Sequence, residues 1–212
     1  MLVLAGDIGT STQGDVAEAL GFFRRLAGSR PILWVRGNHD FWDIPATKGL
    51  DKVMEEHRRL AATHAVHLLD EAPYEYGGVL FAGWMGWYGE RDPATNDHLY
   101  MPPFTQGLPT GEWLANWEKA SLGRVLDQID LAKARRDPPR AVVAVTHFPC
   151  VPHLTVERYS ASPRHFQFLP GRVDALLMGH SHRRVEGMEI DGVRLFNSGS
   201  DYDRPSYISI VV

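Results

Sequence analysis

A chain of 212 residues with 44% hydrophobic and 23% charged side chains has the apolar content for one domain with a buried core, and too little length for two. Its net charge of −4 supplies no overall basic footprint for nucleic acid, and no run approaches the roughly twenty apolar residues of a membrane span. The single cysteine, Cys150, excludes an internal disulfide and fits a reducing compartment, so a cytoplasmic protein is expected.

Leu2-Val3-Leu4-Ala5 opens the chain as a short buried strand, which Gly6-Asp7 closes on a tight turn. After a small polar loop, residues 15–27 place their apolar side chains at helical spacing, and Gly28-Ser29 ends that helix. Residues 31–35 form a second strand closed by RGNHD, and a strand–helix–strand unit of this length predicts parallel pairing. An amphipathic helix follows over 48–63, then strands at about 65–69 and 78–83 with EYGG as a turn before the second. Residues 84–109 read as irregular and aromatic, and a long helix from about 111 to 136 stops at Asp137-Pro138-Pro139. The strand at 141–147 ends on a histidine, the segment 173–182 repeats that design, and the remainder alternates as antiparallel hairpin strands turning at Asp191-Gly192. With no repeat, low-complexity tract or linker, residues 1–212 read as one α/β domain carrying an aromatic, cap-like insertion at about 84–118.

Four strands end in polar clusters: Gly6-Asp7, Gly37-Asn38-His39-Asp40, Thr146-His147 and Gly179-His180-Ser181-His182. Ligands gather at the carboxyl ends of strands in open α/β sheets, and glycine before the key residue lets another group approach closely. Carboxylate, amide and imidazole donors suit Mn, Fe or Zn, and a carboxylate can bridge two cations. Taken singly, Gly-Asp is a common turn, GNHD fits an Asx turn, and a histidine at a strand end is usually just hydrogen-bonded. The ordered set of four, each on its own strand end, points to a metal site that activates water against a phosphorus ester.

The series LAGDI, VRGNHDFWD, VTHFP and MGHSH resembles the calcineurin-like metallophosphoesterases over nearly the whole chain. The middle stretch FAGWMGWYGERDPATNDHLY, with the helix after it, is similar to a cytosolic bacterial branch of that family. The resemblance implies a two-sheet β-sandwich flanked by helices, with a two-metal site at one end. It assigns Asp7 as the bridging carboxylate, with Asn38, His147 and His180 completing the second metal and His182 belonging to the first. It makes His39 the proton donor or transition-state stabiliser at the leaving group, with Asp40 orienting its ring. The nucleophile it implies is a metal-bound hydroxide, acting on a small phosphomonoester or phosphodiester.

The family's first motif, an Asp-x-His at the end of a preceding strand, has no counterpart here, and Asp-x-His occurs nowhere in the sequence. The first strand is therefore expected to be missing, and the first metal to keep only Asp7 and His182. At least one ion is expected, well held by Asp7, Asn38, His147 and His180, with the second site incomplete. An absent strand would leave LVLA with an unpaired edge, a liability for self-association that a homodimer could cover. Three accounts stay open: Met1 is internal to a longer gene, the short form is natural with its edge covered by a dimer, or the chain is a paralogue that binds without catalysing.

Trp84, Trp87, Tyr88, Tyr100, Phe104, Trp113 and Trp117 crowd the middle of the chain. Any one of these rings is better read as satellite core than as substrate contact, but a long loop in a compact domain is often functional. Trp84, His98 and Arg204 are the substrate-binding candidates, with Glu90, Arg91 and Asn96 as polar residues among the aromatics. His57, His64 and His67 read as surface residues, and Cys150 as a small buried side chain. The expected activity is metal-dependent phosphoester hydrolysis. The alternatives are a non-catalytic metal- or nucleotide-binding relative and a serine/threonine protein phosphatase.

Overall fold

Strand β2 (Ile32–Val35) is buried on both faces, and alternation along it divides its side chains between two cores. Ile32 and Trp34 pack with Leu4, Val66 and Leu68 against Val16, Leu20 and Ala61 of two helices. Leu33 and Val35 face the other way, into a larger core with Val79, Phe81, Val143 and Val145. A two-layered sandwich follows directly, because one sheet covers helices on its outer face and a second sheet on its inner face. The structure, a computed structural model, describes residues 1–9, 15–42, 49–87, 110–151, 154, 163–200 and 204–211.

The smaller sheet has the order β1-β2-β3, with β1 (Leu2–Ala5) and β3 (Val66–Leu68) both parallel to β2. Helices α1 (Asp15–Ala27) and α2 (Leu50–Thr63) cover its outer face. Among the described residues, β1 pairs on one side only and forms the edge of its sheet. The larger sheet joins β4 (Tyr74–Tyr76), β5 (Val79–Trp84), β6 (Ala141–Thr146), β7 (Ala175–Met178), β8 (Val185–Ile190) and β9 (Val193–Asn197) in the order β4-β5-β6-β7-β9-β8. Its inner strands β5, β6, β7 and β9 run parallel, with antiparallel pairs at both edges. Helix α3 (Thr110–Lys133) lays Leu122, Val125 and Ile129 on this sheet's outer face. No helix among the described residues is long and apolar enough to cross a membrane.

Three expectations change in detail. Tyr74–Tyr76 is a strand rather than part of a turn, because Gly77 and Gly78, both at positive φ, make the reversal by themselves. The Asp191-Gly192 hairpin joins β8 to β9 as expected, but β9 then pairs with β7 in parallel, and residues 205–211 carry no strand. His57 is buried rather than on the surface, with its ring 5.6 Å from that of Trp34 and 5.1 Å from that of Phe41.

The registers align the strand ends that matter. Trp84, Thr146, Met178 and Asn197 form one row across the larger sheet, and Ala5 pairs with Val35 in the smaller. The loops after β1, β2, β6 and β7 therefore leave the sandwich at one end.

Candidate metal centre

His147 follows β6 and is wholly buried. Its Nδ1 lies 2.7 Å from the carbonyl oxygen of Ala5, at the end of β1 in the other sheet. A carbonyl only accepts, so Nδ1 carries the proton and Nε2 points onward. Around Nε2 stand Asn38 Oδ1 at 3.0 Å, His180 Nδ1 at 3.2 Å and Asp7 Oδ2 at 3.2 Å. Each sheet supplies two of these four side chains.

The donors titrate as a set. Burial would raise the Asp7 carboxyl, but the charge and hydrogen bond of His147, with His39 and His180 behind them, hold it well below the usual range. Burial would lower His147, yet the Asp7 carboxylate beside it raises it. His180 is pushed down to about 3, first by burial and then by the charge of His147, so its ring is neutral. In this arrangement one proton on His147 Nε2 faces two oxygen acceptors, Asn38 Oδ1 and Asp7 Oδ2, with His180 Nδ1 equally near, and it cannot satisfy them all. A divalent cation can. Asp7, His147 and His180 hold ligand atoms within 4.8 Å of one another, and Asn38 adds a neutral hard oxygen. The residues fit a divalent metal.

The local backbone is built for this convergence. Asp7 and His180 both adopt a φ of 54°, in the left-handed region, which costs a non-glycine residue roughly 1–2 kcal/mol. Gly37 lies so close to Asp7 that a side chain on it would meet the Asp7 carboxylate and the His147 ring. The Asp7 Oδ1 atom in turn accepts the His39 amide at 2.9 Å, tying the β1 loop to the β2 loop.

His39 sits at the rim, with its Nε2 4.0 Å from Asp7 Oδ2 and its ring stacked on Trp42 at 3.5 Å. Asp40, expected to orient that ring, has a further task in the structure. Asp40 is fully buried, and its carboxylate accepts the amides of Asp7 at 3.1 Å, Ile8 at 2.9 Å, Gly9 at 3.3 Å and Gly37 at 2.8 Å. It clamps the two loops together by their backbones. Burial and then repulsion from Asp7 push its carboxyl up to about 7, while the Gly37 amide pulls the other way.

His182, two residues past His180, is exposed and lies outside the convergent group. Arg204 is exposed and also outside it. Trp84 is fully buried in the larger core, so its indole meets the protein interior and not a substrate. His98, Glu90, Arg91, Asn96, Tyr88, Tyr100, Phe104 and His153 lie outside the described residues. Trp87 is core as well, with its ring 5.6 Å from that of Phe41 and 5.3 Å from that of Trp117. Cys150 is buried, and burial followed by the nearby Glu118 charge pushes its thiol up to about 12, so it is no nucleophile.

Three contributors escaped the sequence reading. The Ala5 carbonyl left no signal, because any residue offers one. Trp42 adjoins GNHD but has no helical or strand periodicity to mark it. Asn197 Nδ2 donates to the Gly179 carbonyl at 2.8 Å while its Oδ1 accepts the Gly199 amide at 2.8 Å, shaping the loop that presents His180. Asn-Ser-Gly after an apolar strand is a turn signature that marks it.

Residues 1–184 match the family model described as calcineurin-like phosphoesterase. Among solved structures, the chain is similar to the phosphopantetheinyl hydrolase PptH from Mycobacterium tuberculosis, with a TM-score of 0.64 and 16% identity over 93% of this chain and 77% of that one. It is also similar to a putative 5'-nucleotidase from Staphylococcus aureus, with a TM-score of 0.50 and 13% identity over 90% of this chain and 35% of that one. No curated protein is a match. At such identities the two structures establish the fold, two sheets flanked by helices, as expected from the sequence. The family model spans most of the chain, and this protein belongs to the calcineurin-like phosphoesterases.

Proposed function

We propose that this protein hydrolyses a small phosphomonoester or phosphodiester in the cytoplasm, using a divalent cation (Mn, Fe or Zn) held by Asp7, Asn38, His147 and His180. The observation that carries this is the environment of His147 Nε2: three potential ligand atoms within 3.2 Å and the opposite ring nitrogen anchored on a carbonyl. A cation in that position supplies charge neutralisation for the phosphoryl oxygens and a lowered pKa for water. The protein's own groups do the rest. Asp7 supplies negative charge, His147 turns Nε2 inward from its anchored Nδ1, and the neutral His180 offers a lone pair without competing for a proton. His39, on the rim and braced by Trp42, is the group that gives a proton to the leaving oxygen.

Metal-free protein supplied with Mn²⁺ should bind one ion tightly and turn over a chromogenic phosphate ester. The exposed position of His182 favours a single well-held ion over two. Two fully occupied metals at these residues would contradict the stoichiometry. The same observation favours a second reading, a relative that binds metal without catalysis. Tight Mn²⁺ binding with no turnover of mono- or diesters would select it.

A further inference from the structure

The Glu118 carboxylate lies on α3, 1% exposed, behind the larger sheet's strand ends and away from the metal ligands. A buried carboxylate is rare without partners. Here its Oε2 accepts the amide of Trp87 at 3.1 Å, and the neighbouring Gly86 amide favours its charged form. His165 Nδ1 stands 3.8 Å from Oε1, beyond hydrogen-bond distance.

Those two amides belong to the turn directly after β5. Gly86 makes it at a φ of +77°, where a side chain would meet Thr146 Oγ1. The turn aims the carbonyl of Met85, which accepts the amide of His147 at 3.1 Å, the amide of Phe148 at 2.9 Å and the hydroxyl of Thr146 at 3.2 Å. Phe148 in turn lays its ring 4.1 Å from that of His180. The carboxylate on α3 thus holds a turn, the turn holds the backbone of His147, and the next residue braces His180.

We infer that Glu118 is a positioning residue, reaching from α3 to set the strand-end turn from which His147 and Phe148 hang. The inference rests on the reading of His147 as a metal ligand. Losing the carboxylate should disturb that ligand more than its contribution to packing explains. Residues that hold a metal ligand in place without touching the metal are commonly worth about 10–100-fold in metal affinity.

Three variants separate positioning from bulk: Glu118→Leu, Glu118→Gln, and Leu122→Ala one turn along the same helix. Mn²⁺ affinity is measured by calorimetry, and the His147 ring by long-range ¹⁵N–¹H correlation in the metal-free protein. Glu118→Leu should bind Mn²⁺ about 10–100-fold more weakly and lose the Nδ1-protonated His147 signature. Glu118→Gln, which keeps an acceptor for Trp87, should recover most of both. Leu122→Ala should lower the melting temperature while leaving affinity and spectrum as in the wild type. A folded Glu118→Leu with wild-type affinity and spectrum overturns the inference, as does an equal loss in Leu122→Ala. Should Glu118→Leu not fold, Glu118→Ala decides, since it too removes the acceptor for Trp87: a His147 correlation that moves while that of buried His57 stays supports the inference, and an unmoved one overturns it. A wild type that fails to bind Mn²⁺ removes the metal reading, and the positioning of His147 is then judged on the spectrum.

Discussion

Asp40 and Glu118 are both carboxylates buried behind strand ends, and both hold backbone amides, but they reach them by different routes. Asp40 sits in the same turn as Asn38 and His39 and accepts amides from its own loop and the neighbouring β1 loop. Glu118 comes from the far side of the larger sheet, on a helix separated from its target by 31 positions of sequence. The smaller sheet's half of the site is therefore held by one strand-end loop reaching the next, and the larger sheet's half by a helix docked from outside. One half depends on two neighbouring loops of a single sheet, and the other on how well α3 packs.

The largest expected break in this comparison is Asp40→Leu. Each buried amide left without an acceptor costs about 1–3 kcal/mol, so losing this clamp should cost more than about 3 kcal/mol in urea unfolding. Mn²⁺ binding should go with it, and Asp40→Asn should recover part of both. Wild-type stability in Asp40→Leu would show that the loops stand without the clamp.

His39 lies next to Asp40 but faces the rim, so it separates chemistry from scaffolding. His39→Ala should lower kcat by about 10²–10⁴-fold, the usual reach of a general acid, with Mn²⁺ affinity and stability nearly unchanged. Loss of metal binding in this variant would move His39 from chemistry into the ligand set.

Burial raises both carboxyls, and a substitution isolates the contribution of Glu118. Burial raises Glu118 from its ordinary 4.5 to about 8, against the pull of the Trp87 and Gly86 amides and the Trp84 indole. The folded state thus holds this proton more tightly than the unfolded chain. The stability it contributes is complete below about 4.5 and is lost as pH rises through about 8. Glu118→Gln cannot titrate, so the wild type's stability relative to that variant should fall between about pH 5 and pH 9. Urea curves at both ends measure it, and a constant difference would place the titration elsewhere.

The smallest effect belongs to His182. Exposed and outside the ligand group, it should tolerate His182→Ala within about 0.5 kcal/mol of stability, with Mn²⁺ affinity unchanged at the tight site. A marked loss of affinity would bring His182 into that site.

Much of this arrangement was legible before any coordinates. Strand-end clusters announced Asp7, Asn38, His147 and His180 as a set of four, since each cluster alone has an ordinary use as a turn. Helix α1 was readable to its last residue, since apolar spacing and the glycine after it define both face and end. The histidines of α2 were harder. Periodicity marked a helical face but not its depth, and His57 proved to lie between Trp34 and Phe41. Asp40 was legible as a residue, but its hold on four backbone amides was not, because a motif names the side chain and not the amides around it.

By itself, then, the sequence determined most of the helices and strands, the parallel pairing of β1 with β2 and the chemical types of the site, which follow from short-range periodicity and turn chemistry. Only the tertiary structure decided which atoms meet. The Ala5 carbonyl that orients His147, the Trp42 ring under His39 and the Glu118 carboxylate behind the β5 turn all act across gaps in sequence. Backbone carbonyls and buried acids carry no periodic signature, so their partners appear only when two sheets and a helix close on one another.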